Sequence, residues 1–349
     1  MKFGYTINNK LMMNSNGKLL GVEVNDPYKP LNLPQGTIRV RTNDGLPPVN
    51  GNYDTATLVE GTTDIYDVYK SDNNFTRMLL NSTNLIEVLG ANTQGTRYGL
   101  NGLFEGCTSL TSVALFDTSN ILYMDTMFRD CTSLTNVPLF NTSSVYRMSR
   151  MFKNCTSLTT VPLFNTSRVN DMSGMFENCT SLITVPLFDT SNVTKMNITF
   201  SGCTKLSSIP LFNTSNVENM SGMFENCYLL TSVPLFNTSN VTEMGTMFKN
   251  CTSLTTVPLF NTSNAKNMSF MFANCTSLTN VPLFNTSNVT DMGFMLHYCT
   301  KVESGALALY IQASTQTNPP SNHGYTFAHC GVDTETGSAE LAQIPSDWK

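Results

Sequence analysis

The amino-acid sequence predicts a repeat solenoid, and three observations carry that prediction. Nine cysteines, Cys107, Cys131, Cys155, Cys179, Cys203, Cys227, Cys251, Cys275 and Cys299, follow one another at a constant step of 24 residues. No insertion or deletion breaks that step, so every repeat must fill the same volume and meet its neighbours in the same way. Within a repeat such as SLTTVPLFNTSRVNDMSGMFENCT (residues 157–180), Leu158, Val161 and Leu163 suit a short strand sending alternate side chains inward. Val169, Met172, Met175, Phe176 and Cys179 then stand at intervals of three and four, which suits one or two helical turns. Gly174 weakens a long helix there, so the predicted coil has an extended start and a short helical or 3₁₀ finish.

Taken in order, residues 1–75 read as a small β-rich module. KLMM and KLLGVEV flank the turn Asn14-Ser15-Asn16-Gly17, and TIRVRT (37–42) alternates with period two. Residues 76–102 read as a capping repeat, in which Ser82-Thr83-Asn84-Leu85 and Val88 imitate the Cys-Thr-Ser-Leu and Val of later repeats. The array proper occupies residues 103–300. Pro138, Pro162, Pro186, Pro210, Pro234, Pro258 and Pro282 recur inside its predicted strand, and each removes a ladder donor. The parallel strand is therefore expected to be brief or bent at proline. Residues 301–349 read as a C-terminal cap with one helix within 302–314, ended by Asn318-Pro319-Pro320-Ser321, and with a tail carrying Trp348 that closes the last coil.

The chain is 40% hydrophobic and only 13% charged, with a formal net charge of -5. Without a cluster of Lys and Arg, a nucleic-acid partner is not expected. No segment has the length and apolarity of a signal peptide or a membrane span, so neither signal-dependent export nor membrane insertion is expected. The cysteine column reads as buried free thiols, and its 24-residue step does not supply the convergent ligands that zinc needs. The paired methionines read as core filler. His323, His329 and Cys330 match no ligand pattern, and no nucleophile elbow, phosphate-binding glycine loop or H-E-x-x-H occurs, so no metal, cofactor or enzymatic activity is expected. The Asn-x-Ser/Thr triplets, such as Asn165-Thr166-Ser167, read as turn formers, although the same triplets accept N-glycans in a eukaryotic secretory route.

The positions where the repeats disagree are the candidate ligand-binding residues. Two residues after the turn vary, giving Tyr123, Tyr146, Arg147, Asp171, Lys195, Glu218, Glu243 and Lys266. A second varied site before the Met-Phe pair contributes Arg150, Phe270 and Phe294. Tyr, Arg and Phe aligned along one edge suit a contact surface, and a freely drifting solvated face would vary in the same way.

The repeat S-L-T-x-V-P-L-F-N-T-S-N-V-x-x-M-x-x-M-F-x-N-C-T closely resembles the BspA-like leucine-rich repeat of bacterial surface proteins. TIRVRTNDG, DIYDVYKS and IEVLGANT also look like segments that precede such arrays in gut-bacterial and prophage-encoded relatives. The expected fold is thus a leucine-rich-repeat-like, right-handed coil with short parallel strands, a β-rich N-terminal module and a helical C-terminal cap. The resemblance implies attachment to proteins, matrix or other cells, with no catalytic residues to carry over. Without a wall-anchoring motif, one expected route outside is a virion released by lysis. A terminal module would dock to other virion proteins while the array binds a host-surface protein or glycan. A bacterial cell-surface adhesin and a structural virion spacer are the alternatives.

Overall fold

The computed structural model describes residues 32–96 and 99–349, and every element below lies in the compact unit Leu33–Lys349. The hairpin expected around Asn14 to Gly17 falls outside the described residues. Alternation in TIRVRT produces strand β1 (Thr37–Thr42), which buries Ile38 and Val40. Its other face carries Arg39, held by two bonds of 2.7 and 2.8 Å to Asp67, and Arg41, 2.6 Å from Glu87. Around it lie β2 (Thr55–Leu58), β3 (Ile65–Tyr69), β4 (Leu85–Ala91) and β5 (Ser112–Val113), in the order β2-β3-β1-β4-β5. Pairing is antiparallel up to β4 and parallel between β4 and β5. Strand β4 therefore belongs both to the N-terminal sheet and to the first coil, with Val88 opposite Val113. Ser82 occupies the cysteine position of that coil, and its hydroxyl donates to the Val49 carbonyl at 2.7 Å.

In the array the backbone differs from the expected strand-then-helix coil in three ways. First, beyond β5 no strand forms over the Leu-Val-Pro-Leu segment. Proline deletes a donor, and the Phe164 N–H turns back to the Pro162 carbonyl at 2.9 Å. That three-residue turn swings Leu163 outward, 58% exposed, while Val161 and Phe164 stay buried. Leu163 had been expected inside with Leu158 and Val161. Second, apart from one bridge in the proline segment between Asn280 and Ser304, the parallel coil-to-coil bridges run through Tyr123, Arg147, Asp171, Lys195, Asn219, Glu243, Asn267 and Asp291, one residue per coil. Third, the Met-to-Cys segment is a staircase of tight turns, not a helix. Its amides alternate between local and inter-coil acceptors: Met151, Lys153 and Cys155 bond three residues back, whereas Arg150, Phe152 and Asn154 bond the next coil. Arg150 and Asn154 carry positive φ of 54° and 62°, as the third residue of a type II turn requires.

The core is two columns of phenylalanine. Phe128, Phe152, Phe176 and Phe200 stack with centroids 5.6 to 5.7 Å apart, and Phe164 packs on Phe152 at 6.2 Å from the second column. Such pairs contribute about 0.5–1.5 kcal/mol beyond their area burial. All ten cysteines are buried and unpaired. The Cys203 thiol donates to the Phe176 carbonyl of the preceding coil at 3.1 Å, and the same contact recurs along the column. A thiol fits there because it is apolar enough for the core yet still offers a weak donor. Burial pushes the Cys107 and Cys330 thiols up to about 12. The Asn-x-Ser triplets do form turns: the Asn165 side-chain oxygen accepts the Ser167 N–H, and the buried Thr166 hydroxyl donates to the Asp189 carbonyl of the next coil.

Helix α1 (Ala306–Thr315) follows Cys299 and buries Ala306, Leu309 and Ala313 along one face. It starts after Gly305, at φ 95°, where a Cβ would collide with the Val281 carbonyl. The chain then rejoins the array, which the sequence reading missed. Asn322 bridges Asp291, and the amides of Phe294, Leu296 and Tyr298 donate to the carbonyls of Gly324, Thr326 and Ala328. Residues 322–330 thus form one more partial coil, ending in Cys330. A second helix, α2 (Glu335–Gln343), corrects the expectation of one helix; the Thr334 hydroxyl caps it by accepting the Gly337 N–H at 3.0 Å. Trp348 is buried, stacked on His323 at 4.2 Å and packed near Phe327.

Candidate functional site

The eleven residues singled out from the sequence occupy three columns within five residues of each coil. Tyr123, Arg147, Asp171, Lys195 and Glu243 stand on the bridge ladder itself. Tyr146, Glu218 and Lys266 precede that ladder by one residue, and their amides donate to the carbonyls of Leu122, Thr194 and Thr242 in the coil before. Arg150, Phe270 and Phe294 sit at the first positive-φ position of the turn staircase. Backbone geometry is therefore constant at all three columns, and only the side chains change.

Near the N-terminal end these side chains engage one another. The Arg168 guanidinium lies 4.4 Å over the Tyr146 ring, and Arg147 is 3.2 Å from Asp125. Burial raises the Asp125 carboxyl above the ordinary carboxylate range; Arg147 and the Ser149 N–H oppose that rise. Arg168 replaces an asparagine ladder found in later coils, where Asn192, Asn216, Asn240 and Asn264 donate to serine carbonyls of the coils before. Between that ladder and the varied column runs a shallow polar groove lined by Asn192, Thr194, Asn216, Glu218, Asn240 and Thr242, continuing past Lys266. It offers amide and hydroxyl groups with few charges.

At the C-terminal end the columns turn aromatic. Phe270 and Phe294 stack at 4.6 Å with rings 3° from parallel, and Phe294 stacks on Tyr325 at 5.0 Å. Beside them Tyr298 stacks on His329 at 4.4 Å, and His297 meets the Tyr298 ring edge-on at 4.5 Å. Tyr325, Tyr298 and His329 are exposed, and Phe270, Phe294 and His297 are half-buried. Burial, with His329 nearby, holds His297 below the ordinary imidazole range. Both positive-φ columns become aromatic here. In the first, glycine fills only Gly102, Gly174 and Gly222; Arg77, Thr126, Arg150, Ile198 and Thr246 share the positive φ, and the column ends in Phe270, Phe294 and Tyr325 at 55°, 58° and 57°. In the second, Asn154, Asn178, Asn226, Asn250 and Asn274 give way to Tyr298 and His329, both at 58°. A bulky residue in this region is strained by roughly 1–2 kcal/mol.

Sequence reasoning found Phe270 and Phe294 but missed Tyr325, His297, Tyr298 and His329. Tyr325 and His329 were hidden because α1 lengthens the last cysteine step, so that Cys330 follows Cys299 by 31 residues. Aligning H-G-Y-T-F-A-H-C (323–330) with M-G-F-M-L-H-Y-C (292–299) would have exposed both. Among the described residues no three His, Cys, Asp or Glu side chains group to hold a metal ion, and no helix is long and apolar enough to cross a membrane.

The geometry defines a class: a repeat solenoid with a fixed backbone edge and variable side chains. The family described as "Mycoplasma protein of unknown function, DUF285" matches residues 98–209, 159–254 and 199–308, and the chain belongs to it. No curated protein matches. Among solved structures, a leucine-rich repeat protein from T. pallidum is 22% identical over 49% of this chain and 81% of its own, with a TM-score of 0.38. One from Bacteroides ovatus is 18% identical over 82% and 84%, at 0.29, and an internalin from Listeria monocytogenes is 14% identical over 75% of each, at 0.29. These scores are low, so the coil reading rests on the hydrogen bonds and burial described above.

Proposed function

We propose that this protein is a non-enzymatic recognition module that binds a protein partner outside the cell through the three varied columns, with the aromatic end as its centre. The carrying observation is the aromatic stack: Phe270, Phe294 and Tyr325 hold three successive places of a positive-φ turn column that Gly, Thr, Arg and Ile fill elsewhere, and they stack into one partly exposed surface. Strained backbone positions cluster at functional sites, and the second column adds Tyr298 and His329 where asparagine stands in earlier coils. Aromatic side chains supply large contact area at low conformational-entropy cost. The location expected from the sequence, virion or cell surface, remains part of this proposal; its test is whether the chain is recovered in purified particles or in the cell-envelope fraction.

The binding test applies the labelled full chain to an array of secreted and surface-exposed proteins, with a glycan array in parallel. Saturable binding to a protein is expected, weakened about 30-fold or more by Phe270→Gly with Phe294→Gly and Tyr325→Gly, because anchors of this kind carry roughly 2 kcal/mol or more. A smaller loss is expected for Tyr146→Ala with Arg147→Ala. Protein binding that both variants leave unchanged would sink the proposal, and binding to glycans alone would move the partner to another class.

A further inference from the structure

A second surface lies on the same coils and has the opposite character. Eight leucines, at every twenty-fourth position from Leu115 through Leu139, Leu163, Leu187 and onward to Leu283, are each 52–60% exposed. Each is turned outward by its coil; in six of the seven coils where proline precedes it, the next phenylalanine N–H closes a Pro-Leu-Phe turn, as in Pro138-Leu139-Phe140 and Pro186-Leu187-Phe188. Flanking columns have drifted. Thr159 becomes Ile183, Ser207 and Thr231, and Asn165 becomes Asp189 and Asn213, but the leucine is unchanged in all eight. Packing inside the coil does not demand it, because Leu158, Val161 and Phe164 already fill the interior.

We infer that this leucine row is a self-association surface, and that its occupant is a second copy of the same chain. Three features favour a copy over an unrelated partner. The first is period: a row of identical side chains, one per coil, meets matching knobs throughout only against a row with the same coil step, which another copy has. An isologous two-fold pairing places the row against itself. The second is area: seven coil steps of about 4.8 Å, by about six residues of roughly 3.3 Å across, give a strip of roughly 700 Å², near the contribution of one partner to a stable interface. Along its middle the eight exposed leucines form one continuous apolar row rimmed by polar columns, the pattern that marks an interaction site. The third is charge: in a chain with net charge -5, this strip is a place where copies meet with little repulsion, because the exposed columns flanking the row hold Thr, Ser and Asn, with Ile183 the apolar and Asp117 and Asp189 the acidic exceptions. The recognition columns form a separate set of residues.

Sedimentation equilibrium of the full chain tests the inference. A dimer is expected at about 100 μM protein, dissociating on dilution below a roughly micromolar constant. Leu163→Lys with Leu187→Lys and Leu211→Lys should give monomer at the same concentration, with far-UV circular dichroism and melting midpoint unchanged. Because the wild-type result is decisive by itself, misfolding of the variant does not shelter the inference. A wild-type chain that is monomeric at 100 μM overturns it. So does a dimer that persists in the folded lysine variant, which would place the interface elsewhere, or a monomer that instead binds phosphatidylcholine vesicles through the row.

Discussion

The two faces of this solenoid are both exposed, yet one is constant and the other varies. On the proline face Leu163 and its counterparts are constant and exposed. On the bridge face Tyr123, Arg147, Asp171 and Lys195 vary although their backbone is fixed coil to coil. The difference arises in the hydrogen bonds. Where proline removes the ladder, a local turn sets the direction of one side chain in six coils, and Leu115 and Leu259 point outward without it. Where the ladder persists, the backbone supplies the coil-to-coil register and side-chain identity is free to change.

The largest expected effect contrasts two leucines five residues apart. Leu158→Ala should lower stability by about 2–5 kcal/mol, since the side chain is fully buried, whereas Leu163→Ala should stay within about 0.5 kcal/mol. Urea unfolding of the pair checks this, provided that protein concentration is low enough to compare monomers. Equal losses would mean that the leucine row belongs to the core after all.

Next in size is the cysteine column. Native protein at pH 8 should resist iodoacetamide, because burial holds every thiol well above its ordinary range, and all ten should react in denaturant. Cys203→Ala should cost roughly 1–2 kcal/mol through the lost side-chain volume and the lost donor to Phe176. Rapid alkylation of folded protein would show that the coils open readily.

At the strained turn, Ile198→Gly should be neutral or stabilising by up to about 1 kcal/mol. Relief of a β-branched residue at φ 50° there outweighs the added freedom of the unfolded chain. Gly174→Ala, at φ 61°, should move the other way by about 1 kcal/mol. The smallest effect is electrostatic. A carboxyl whose folded-state pKa is raised contributes most below its unfolded pKa, and that contribution is lost as pH rises through the folded value. Asp125→Asn should therefore gain about 0.5 kcal/mol or less at neutral pH, and less at pH 4. Asn101 already makes the equivalent bond, to the Asp125 N–H, so the substitution keeps an acceptor for Ser149.

The cysteine step, the inward Leu158, Val161, Met172, Phe176 and Cys179, and the existence of α1 were legible in the sequence, because burial imposes a period that letters alone reveal. The direction of Leu163 was not. An alternating pattern assumes extended backbone, and the proline that broke the assumption was visible while its consequence, a turn closed by the following phenylalanine N–H, was not. The turn staircase was hidden in the same way: intervals of three and four suit a helix, and successive type II turns reproduce them. Gly174 and Asn178, four residues apart, were the available signal for positive φ. Of the site, the varied columns were readable as variation. That Phe294 is strained, and that Tyr325 extends its stack from beyond an inserted helix, required three dimensions.

The claim that the aromatic end is kept for recognition and not for the fold is most directly tested by denaturant unfolding of Phe294→Gly beside the wild type. The ring is half-buried and its backbone strained, so the account predicts an unfolding midpoint unchanged or higher. A fall in stability of about 2 kcal/mol or more, the size expected for loss of a core aromatic, would contradict it.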